Sequence, residues 1–90
     1  MSVCRESTII VVDDEPSFRQ YLAEALRDDG HPVFEYPSAA ALPPLATLPP
    51  GAILLTDFEM PGLNGIELAD AFQRAHPGGR AILLSAYAVP

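Results

Sequence analysis

The chain has 90 residues and a formal net charge of −7, because 12 acidic side chains outnumber 5 basic ones. This length fits one small domain, which we expect to span 1–90 with its core at about 8–86. The acidic balance argues against direct nucleic-acid binding, since phosphate backbones are bound by Lys and Arg. Cys4 is the single cysteine, which excludes an internal disulfide. The apolar runs are too short to span a bilayer, so we expect no membrane association and a cytoplasmic location.

Four short segments have the composition of β-strands. Three of them are continuous apolar runs of the kind found in buried parallel strands. The remaining one, second in chain order, mixes polar and aromatic residues, which indicates a more exposed strand. The four segments lie at 8–12, 33–36, 52–56 and 81–85.

A helix is predicted over 17–28, where apolar residues recur at spacings of three and four. Pro16 suits the first turn of this helix, and Glu15 is interpreted as a helix-start residue. Gly30 is predicted to form a left-handed cap at its end. The residues expected to share one helical face are Phe18, Tyr21, Leu22, Ala25 and Leu26, with Phe18, Leu22 and Leu26 assigned to the core.

The middle of the chain is predicted to contain little regular helix. Four prolines between 43 and 50 leave room for a short helix over 39–42 at most. A loop over 57–65 then leads into another full helix, with Phe72 in the core. Gly65 is interpreted as a residue that serves the geometry of this loop.

Strands that alternate with helices predict an α/β fold with a parallel sheet and helices on its faces. If the strand order is 2-1-3-4, Asp13 and Asp14 after the first strand lie beside Asp57 after the third, at a topological switch point. Taken alone, Asp13 and Asp14 would be interpreted as helix caps. Three converging carboxylates repel one another unless a cation is present, and their oxygens suit Mg²⁺. A carboxylate can also attack phosphorus to form an aspartyl-phosphate.

The sequence resembles the receiver domain of two-component response regulators. The resemblance rests on IIVVDDEP at 9–16, LLTDFEMPGLNG at 54–65 and ILLSA at 82–86. It implies a flavodoxin-like three-layer sandwich and a phospho-accepting module of a phosphorelay. It also implies Mg²⁺ as cofactor and a histidine kinase or phosphotransfer protein as partner. The activity would be at most Mg²⁺-dependent autophosphorylation with slow autodephosphorylation, not that of a stand-alone metabolic enzyme.

The resemblance also implies a role for individual residues. Asp57 matches the phosphorylated aspartate of the family. Asp14 matches the direct metal ligand, and Asp13 matches the acidic partner that acts through water. The backbone carbonyl of Glu59 matches a further metal ligand, and Ser85 matches the switch hydroxyl that binds the phosphoryl group.

The sequence departs from the family pattern after the fourth strand. We expect the family's fourth helix, fifth strand and fifth helix to be lacking, together with the lysine that pairs with the phosphoryl group. All five basic residues are arginines, so no lysine replaces it. The strand at 81–84 would then be an exposed apolar edge, which favours self-association, an element swap or completion by a partner. A fragment of a longer regulator is the other explanation.

Two further functions remain open from the sequence. The missing lysine and final elements favour an inactive receiver-like module that serves interaction or assembly without phosphorylation. A Mg²⁺-dependent phosphatase is also conceivable, because Glu59 follows Asp57 by two residues, the spacing of an acid/base catalyst. This phosphatase ranks third, since we expect no cap, no substrate pocket and no basic residue to hold a phosphate.

Overall fold

A computed structural model of the chain describes residues 7–58 and 64–84. It confirms the four predicted strands and both predicted helices, most of them with ends shifted by one residue. The short helix expected at 39–42 is instead the first of two single 3₁₀ turns. None of the helices in the described ranges has the length and apolar character needed to cross a membrane. The elements are β1 (Ile9–Val12), α1 (Pro16–Asp28), β2 (Val33–Tyr36), the 3₁₀ turns Ala39–Ala41 and Leu45–Thr47, β3 (Ile53–Asp57), α2 (Gly65–Ala75) and β4 (Arg80–Leu84).

The four strands form one parallel sheet in the order β2-β1-β3-β4, which confirms the predicted order. Val11 of β1 lies opposite Glu35 of β2 on one side and Leu55 of β3 on the other. Leu55 in turn lies opposite Ile82 of β4. From β1 the chain first adds β2 on one side and then β3 on the other, so the topological switch point lies between β1 and β3. The carboxyl ends of these two parallel strands are neighbours there.

Each face of the sheet carries its own apolar cluster. On one face, β1 and β3 pack against α2 and the 3₁₀ turns, with Phe72 fully buried as predicted. On the other face, α1 is the one helix of the described residues that contributes to the cluster. The first cluster contains Ile10, Val12, Leu48, Ala52, Leu54, Leu68 and Phe72, and the second contains Ile9, Val11, Ala23, Val33 and Leu55.

The predicted buried face of α1 is wrong in part. Phe18 is 41 % exposed and Tyr21 is 71 % exposed, whereas Ala23 is fully buried. The helix is rotated so that Leu22, Ala23 and Leu26 face the sheet. The small side chain of Ala23 lets the helix axis approach β1 and β2 closely, and a larger residue at that contact would hold the helix away.

Gly30 closes α1 as predicted, with a φ of 97°. Its amide donates to the carbonyl of Arg27 at 2.9 Å, and the next amide, that of His31, donates to the carbonyl of Leu26 at 3.1 Å. These two bonds form a Schellman motif, in which a glycine adopts the left-handed conformation without a Cβ penalty. The helix end is thereby turned toward β2.

Candidate functional site

Three carboxylates meet at the carboxyl ends of β1 and β3. Asp13 and Asp14 follow β1 directly, and Asp57 is the last residue of β3. One carboxylate oxygen from each residue lies within 4.8 Å of the others. The structure thus brings together the three acidic residues that the strand order predicts to converge. Glu59 and Ser85, the other two predicted site residues, lie outside the described residues.

Asp13 is buried and electrostatically unfavourable when ionised. Asp13 is only 3 % exposed, and its Oδ1 accepts a hydrogen bond from the Glu15 amide at 2.9 Å. Burial raises the pKa of the Asp13 carboxyl above its ordinary value, and the charges of Asp57, Asp14 and Glu15 raise it further. The hydrogen bond from Glu15 lowers the pKa and offsets part of that effect. The described residues of the site therefore carry a surplus of negative charge.

Arg19 of α1 contacts the acidic site but does not pair with its carboxylates. Nη1 of Arg19 donates to the backbone carbonyl of Asp13 at 2.8 Å. Among the residues of 7–58 and 64–84, no salt bridge involves Asp13, Asp14 or Asp57. Three uncompensated carboxylates within reach of one another are a donor set that fits a hard divalent cation such as Mg²⁺.

The main chain around Asp57 is held by hydrogen bonds from three elements. Thr56, which is fully buried, donates its hydroxyl to the Asp57 carbonyl at 3.1 Å. The Phe58 amide donates to the carbonyl of Leu84 in β4 at 3.0 Å. The Phe58 carbonyl accepts from the amide of Gly65, the first residue of α2, at 2.9 Å. The end of β3 is therefore fixed relative to both β4 and α2.

The role of Gly65 differs from the sequence interpretation. It is not a loop residue but the buried first residue of α2. A Cβ at this position would lie 2.9 Å from the Cα of Phe58 and 3.0 Å from the carbonyl carbon of Asp57. Only glycine lets α2 begin this close to the end of β3. The start of α2 had a signal in the sequence, because Asn64 and Glu67 form a capping box with bonds of 2.9 and 3.2 Å.

Comparisons with known proteins agree with this geometry. The chain matches the family of the response regulator receiver domain over residues 9–90. A response regulator receiver protein of Anaeromyxobacter sp. is 36 % identical over 78 residues, which cover 87 % of this chain and 33 % of that protein. The receiver protein CpdR of Brucella abortus is 29 % identical over 80 residues, which cover 89 % of this chain and 67 % of CpdR. The chain thus spans about one third of the length of the Anaeromyxobacter relative.

Solved structures share the fold. The response regulator TrrA of Thermotoga maritima, in complex with Mg²⁺ and BeF, superposes with a TM-score of 0.81 at 31 % identity, over 91 % of this chain and 71 % of that chain. The crystal structure of FixJ-N superposes with a TM-score of 0.75 at 31 % identity, over 91 % of this chain and 66 % of that chain. The family match, the strand order and these superpositions agree with the resemblance seen in the sequence. The chain belongs to the response regulator receiver domain family.

Proposed function

We propose that the 90 residues form a single receiver unit that accepts a phosphoryl group on Asp57, with Mg²⁺ held by Asp13, Asp14 and Asp57. The observation that carries this proposal is the approach of the three carboxylates to within 4.8 Å of one another. The Mg²⁺–BeF complex of TrrA, a relative with the same fold, supports it. The backbone carbonyl of Glu59 is proposed as a further ligand.

The chain's own residues prepare this site in distinct ways. Asp14 is exposed and available to contact a metal directly, whereas Asp13 is buried and held by the Glu15 amide. This difference suits the proposed division between a direct ligand and one that acts through water. Mg²⁺, when bound, supplies positive charge that offsets the carboxylates and the oxygens of the transferred phosphoryl group.

The proposed reaction is a transfer between two nucleophiles. A lone pair on a carboxylate oxygen of Asp57 attacks phosphorus and forms an O–P bond. The P–N bond of a phosphohistidine on a histidine kinase or phosphotransfer protein breaks, and its electron pair stays with the imidazole nitrogen. The hydroxyl of Ser85 is proposed to bind a phosphoryl oxygen of the product. Slow hydrolysis by water returns the carboxylate and inorganic phosphate.

Treatment with Mg²⁺ and acetyl phosphate, followed by intact mass measurement, tests this proposal. We expect a phosphoryl adduct on the wild type and on Asp70→Asn, and none on Asp57→Asn. Asp70 is a matched control because it is an exposed aspartate on α2 that pairs with Arg74 at 3.0 Å, away from the acidic site. An adduct that persists in Asp57→Asn, or no adduct on the wild type, would refute the assignment of Asp57.

A second candidate is an assembly module that works without phosphorylation. The exposed apolar edge supports it, since Ile82 is 48 % exposed and Leu83 is 43 % exposed on β4. Within the described residues β4 pairs with β3 alone, so its other edge is open to a second copy or a completing partner. Assembly that is identical with and without acetyl phosphate would favour this module. Turnover of a generic phosphate ester would instead favour the Mg²⁺-dependent phosphatase.

A further inference from the structure

Arg19 of α1 connects the acidic site to β2. Its Nη1 donates to the backbone carbonyl of Asp13 at 2.8 Å, and its Nε lies 3.5 Å from Oε1 of Glu35. The Arg19 side chain is only 14 % exposed. Among the described residues, its Nε is the one buried side-chain nitrogen or oxygen that lacks a hydrogen-bond partner. A largely buried guanidinium is thus directed at one backbone carbonyl and one carboxylate.

Arg27, two turns further along α1, makes a parallel set of contacts. Its Nη1 lies 3.1 Å from Oε2 of Glu35, and its Nη2 donates to the backbone carbonyl of Val33 at 2.9 Å. Both arginines therefore pair with Glu35, and both donate to a backbone carbonyl. They differ in the location of that carbonyl, because Val33 begins β2 whereas Asp13 belongs to the acidic site.

The hydrogen bond from Arg19 to the Asp13 carbonyl helps to fix the backbone of the acidic site. Asp13 leaves β1 at a short turn before α1, and its amide donates to the carbonyl of Tyr36 at 3.1 Å. Its carboxylate accepts from the Glu15 amide, and its carbonyl accepts from Arg19. With these three groups held, the backbone of Asp13 has one orientation, and the peptide that joins Asp13 to Asp14 is fixed with it.

We propose that Arg19 is a positioning residue for the Mg²⁺ site, an inference that rests on the proposed function. It acts through the backbone carbonyl of Asp13 and not on the metal. Groups that orient metal ligands from the outer shell commonly control metal affinity. Electrostatics alone would act in the opposite direction, because removal of a positive charge near three carboxylates strengthens the binding of a cation. The sign of the change in affinity therefore separates positioning from simple charge.

The test compares Arg19→Met with Arg27→Met in the full chain. Each variant removes one positive charge, one contact with Glu35 and one hydrogen bond to a backbone carbonyl. With Mg²⁺ alone as the probe in calorimetric titration, we expect Arg19→Met to bind about 10-fold more weakly than the wild type. We expect Arg27→Met to bind as tightly as the wild type or more tightly.

Amide hydrogen exchange gives a second readout that does not need the metal. In Arg19→Met the Glu15 amide should exchange several-fold faster relative to the Val11 amide in β1, which corrects for any change in global stability. Arg27→Met should leave this ratio unchanged. Arg19→Lys keeps the charge and one donor nitrogen, so it should show a smaller effect on both readouts. It replaces Arg19→Met in the test if that variant does not fold.

The outcomes separate the inference from the proposed function. If the wild type binds Mg²⁺ and Arg19→Met matches Arg27→Met in affinity and in exchange ratio, the positioning role is refuted while the metal site stands. If the wild type does not bind Mg²⁺, the proposed function fails and, with it, the role of Arg19 toward the metal. In that case a faster exchange of the Glu15 amide would still support the structural contact with Asp13.

Discussion

The backbones of Gly65 and Phe58 are in direct contact. The Gly65 amide donates to the Phe58 carbonyl at 2.9 Å, and a Cβ on Gly65 would lie 2.9 Å from the Phe58 Cα. This contact joins the first residue of α2 to the residue that follows Asp57. The position of Asp57, the proposed phospho-acceptor, thus depends on a glycine at the start of α2.

Gly65→Ala should therefore destabilise the fold and disturb the acidic site together. The added methyl group meets backbone atoms, which cannot rotate away, so we expect a loss of about 1–3 kcal/mol in the free energy of unfolding. Urea denaturation measures this loss, and Mg²⁺ titration measures the effect on the site. Ile66→Ala is the control, because Ile66 is the next residue of α2 and is 51 % exposed. Equal stabilities of the two variants would contradict the close contact.

Asp13→Asn should stabilise the folded protein at neutral pH when Mg²⁺ is absent. The amide oxygen of Asn can still accept from the Glu15 amide, but the unfavourable charge is gone. Because the folded-state pKa of Asp13 is raised above its ordinary value of 3.8, ionisation of this carboxyl opposes folding. The wild type should lose stability relative to the variant as the pH rises through the folded pKa. Below 3.8 the two proteins should converge.

Mg²⁺ should reverse the order of these two proteins. At a Mg²⁺ concentration about 100 times the dissociation constant, the wild type should gain about 2.7 kcal/mol in the free energy of unfolding. Asp13→Asn should gain less, since one of three carboxylates is lost. Thermal melts from pH 3 to pH 8, with and without the metal, measure both effects. A wild type that is already more stable than the variant at neutral pH without Mg²⁺ would contradict the uncompensated charge.

The orientation of α1 is tested by two substitutions of alanine by leucine. Ala23 is fully buried against the sheet, so Ala23→Leu should overpack the contact and cost about 1–3 kcal/mol. Ala25 is exposed on the same helix, so Ala25→Leu should change stability by no more than about 0.5 kcal/mol. Chemical denaturation compares the two. The reverse order would place the buried face of α1 on the side first expected from the sequence.

The edge of β4 that is unpaired within 7–58 and 64–84 should govern self-association. A lysine on an edge strand discourages pairing with another chain, so Ile82→Lys should lower the apparent mass in concentration-dependent light scattering. Ile66→Lys is a matched control, because Ile66 has a similar exposed fraction but lies on α2. If the wild type is a monomer at micromolar concentration, or if both variants behave alike, the edge is not the assembly surface.

Much of the fold could be predicted from local patterns. Continuous apolar runs such as 52–56 identify strands, because a strand covered on both faces has no polar side to present. The alternation of strands and helices then limits the topologies to a few, and the order 2-1-3-4 is among them. Once that order is assumed, the acids after the first and third strands must be neighbours. The fold class and the convergence of the three carboxylates could therefore be predicted from the sequence.

The packing contacts between helices and the sheet could not be predicted from the sequence. Leu22 and Leu26 belong to two overlapping apolar stripes on α1, one with Phe18 and Ala25 and the other with Ala23, and helical periodicity does not choose between them. Docking against the sheet decides the choice, because the small Ala23 permits the closer approach.

The same distinction holds at the acidic site. Asp13, Asp14 and Asp57 are placed by strand ends, and strand ends are marked in the sequence by a change from apolar to polar residues. The contacts that hold them depend on backbone groups, such as the Phe58 carbonyl near Gly65 and the Asp13 carbonyl near Arg19. Every residue has a backbone carbonyl, so these contacts cannot be predicted from residue type. Local composition determines which carboxylates meet, and the packing of α1 and α2 against the sheet determines how firmly they are held.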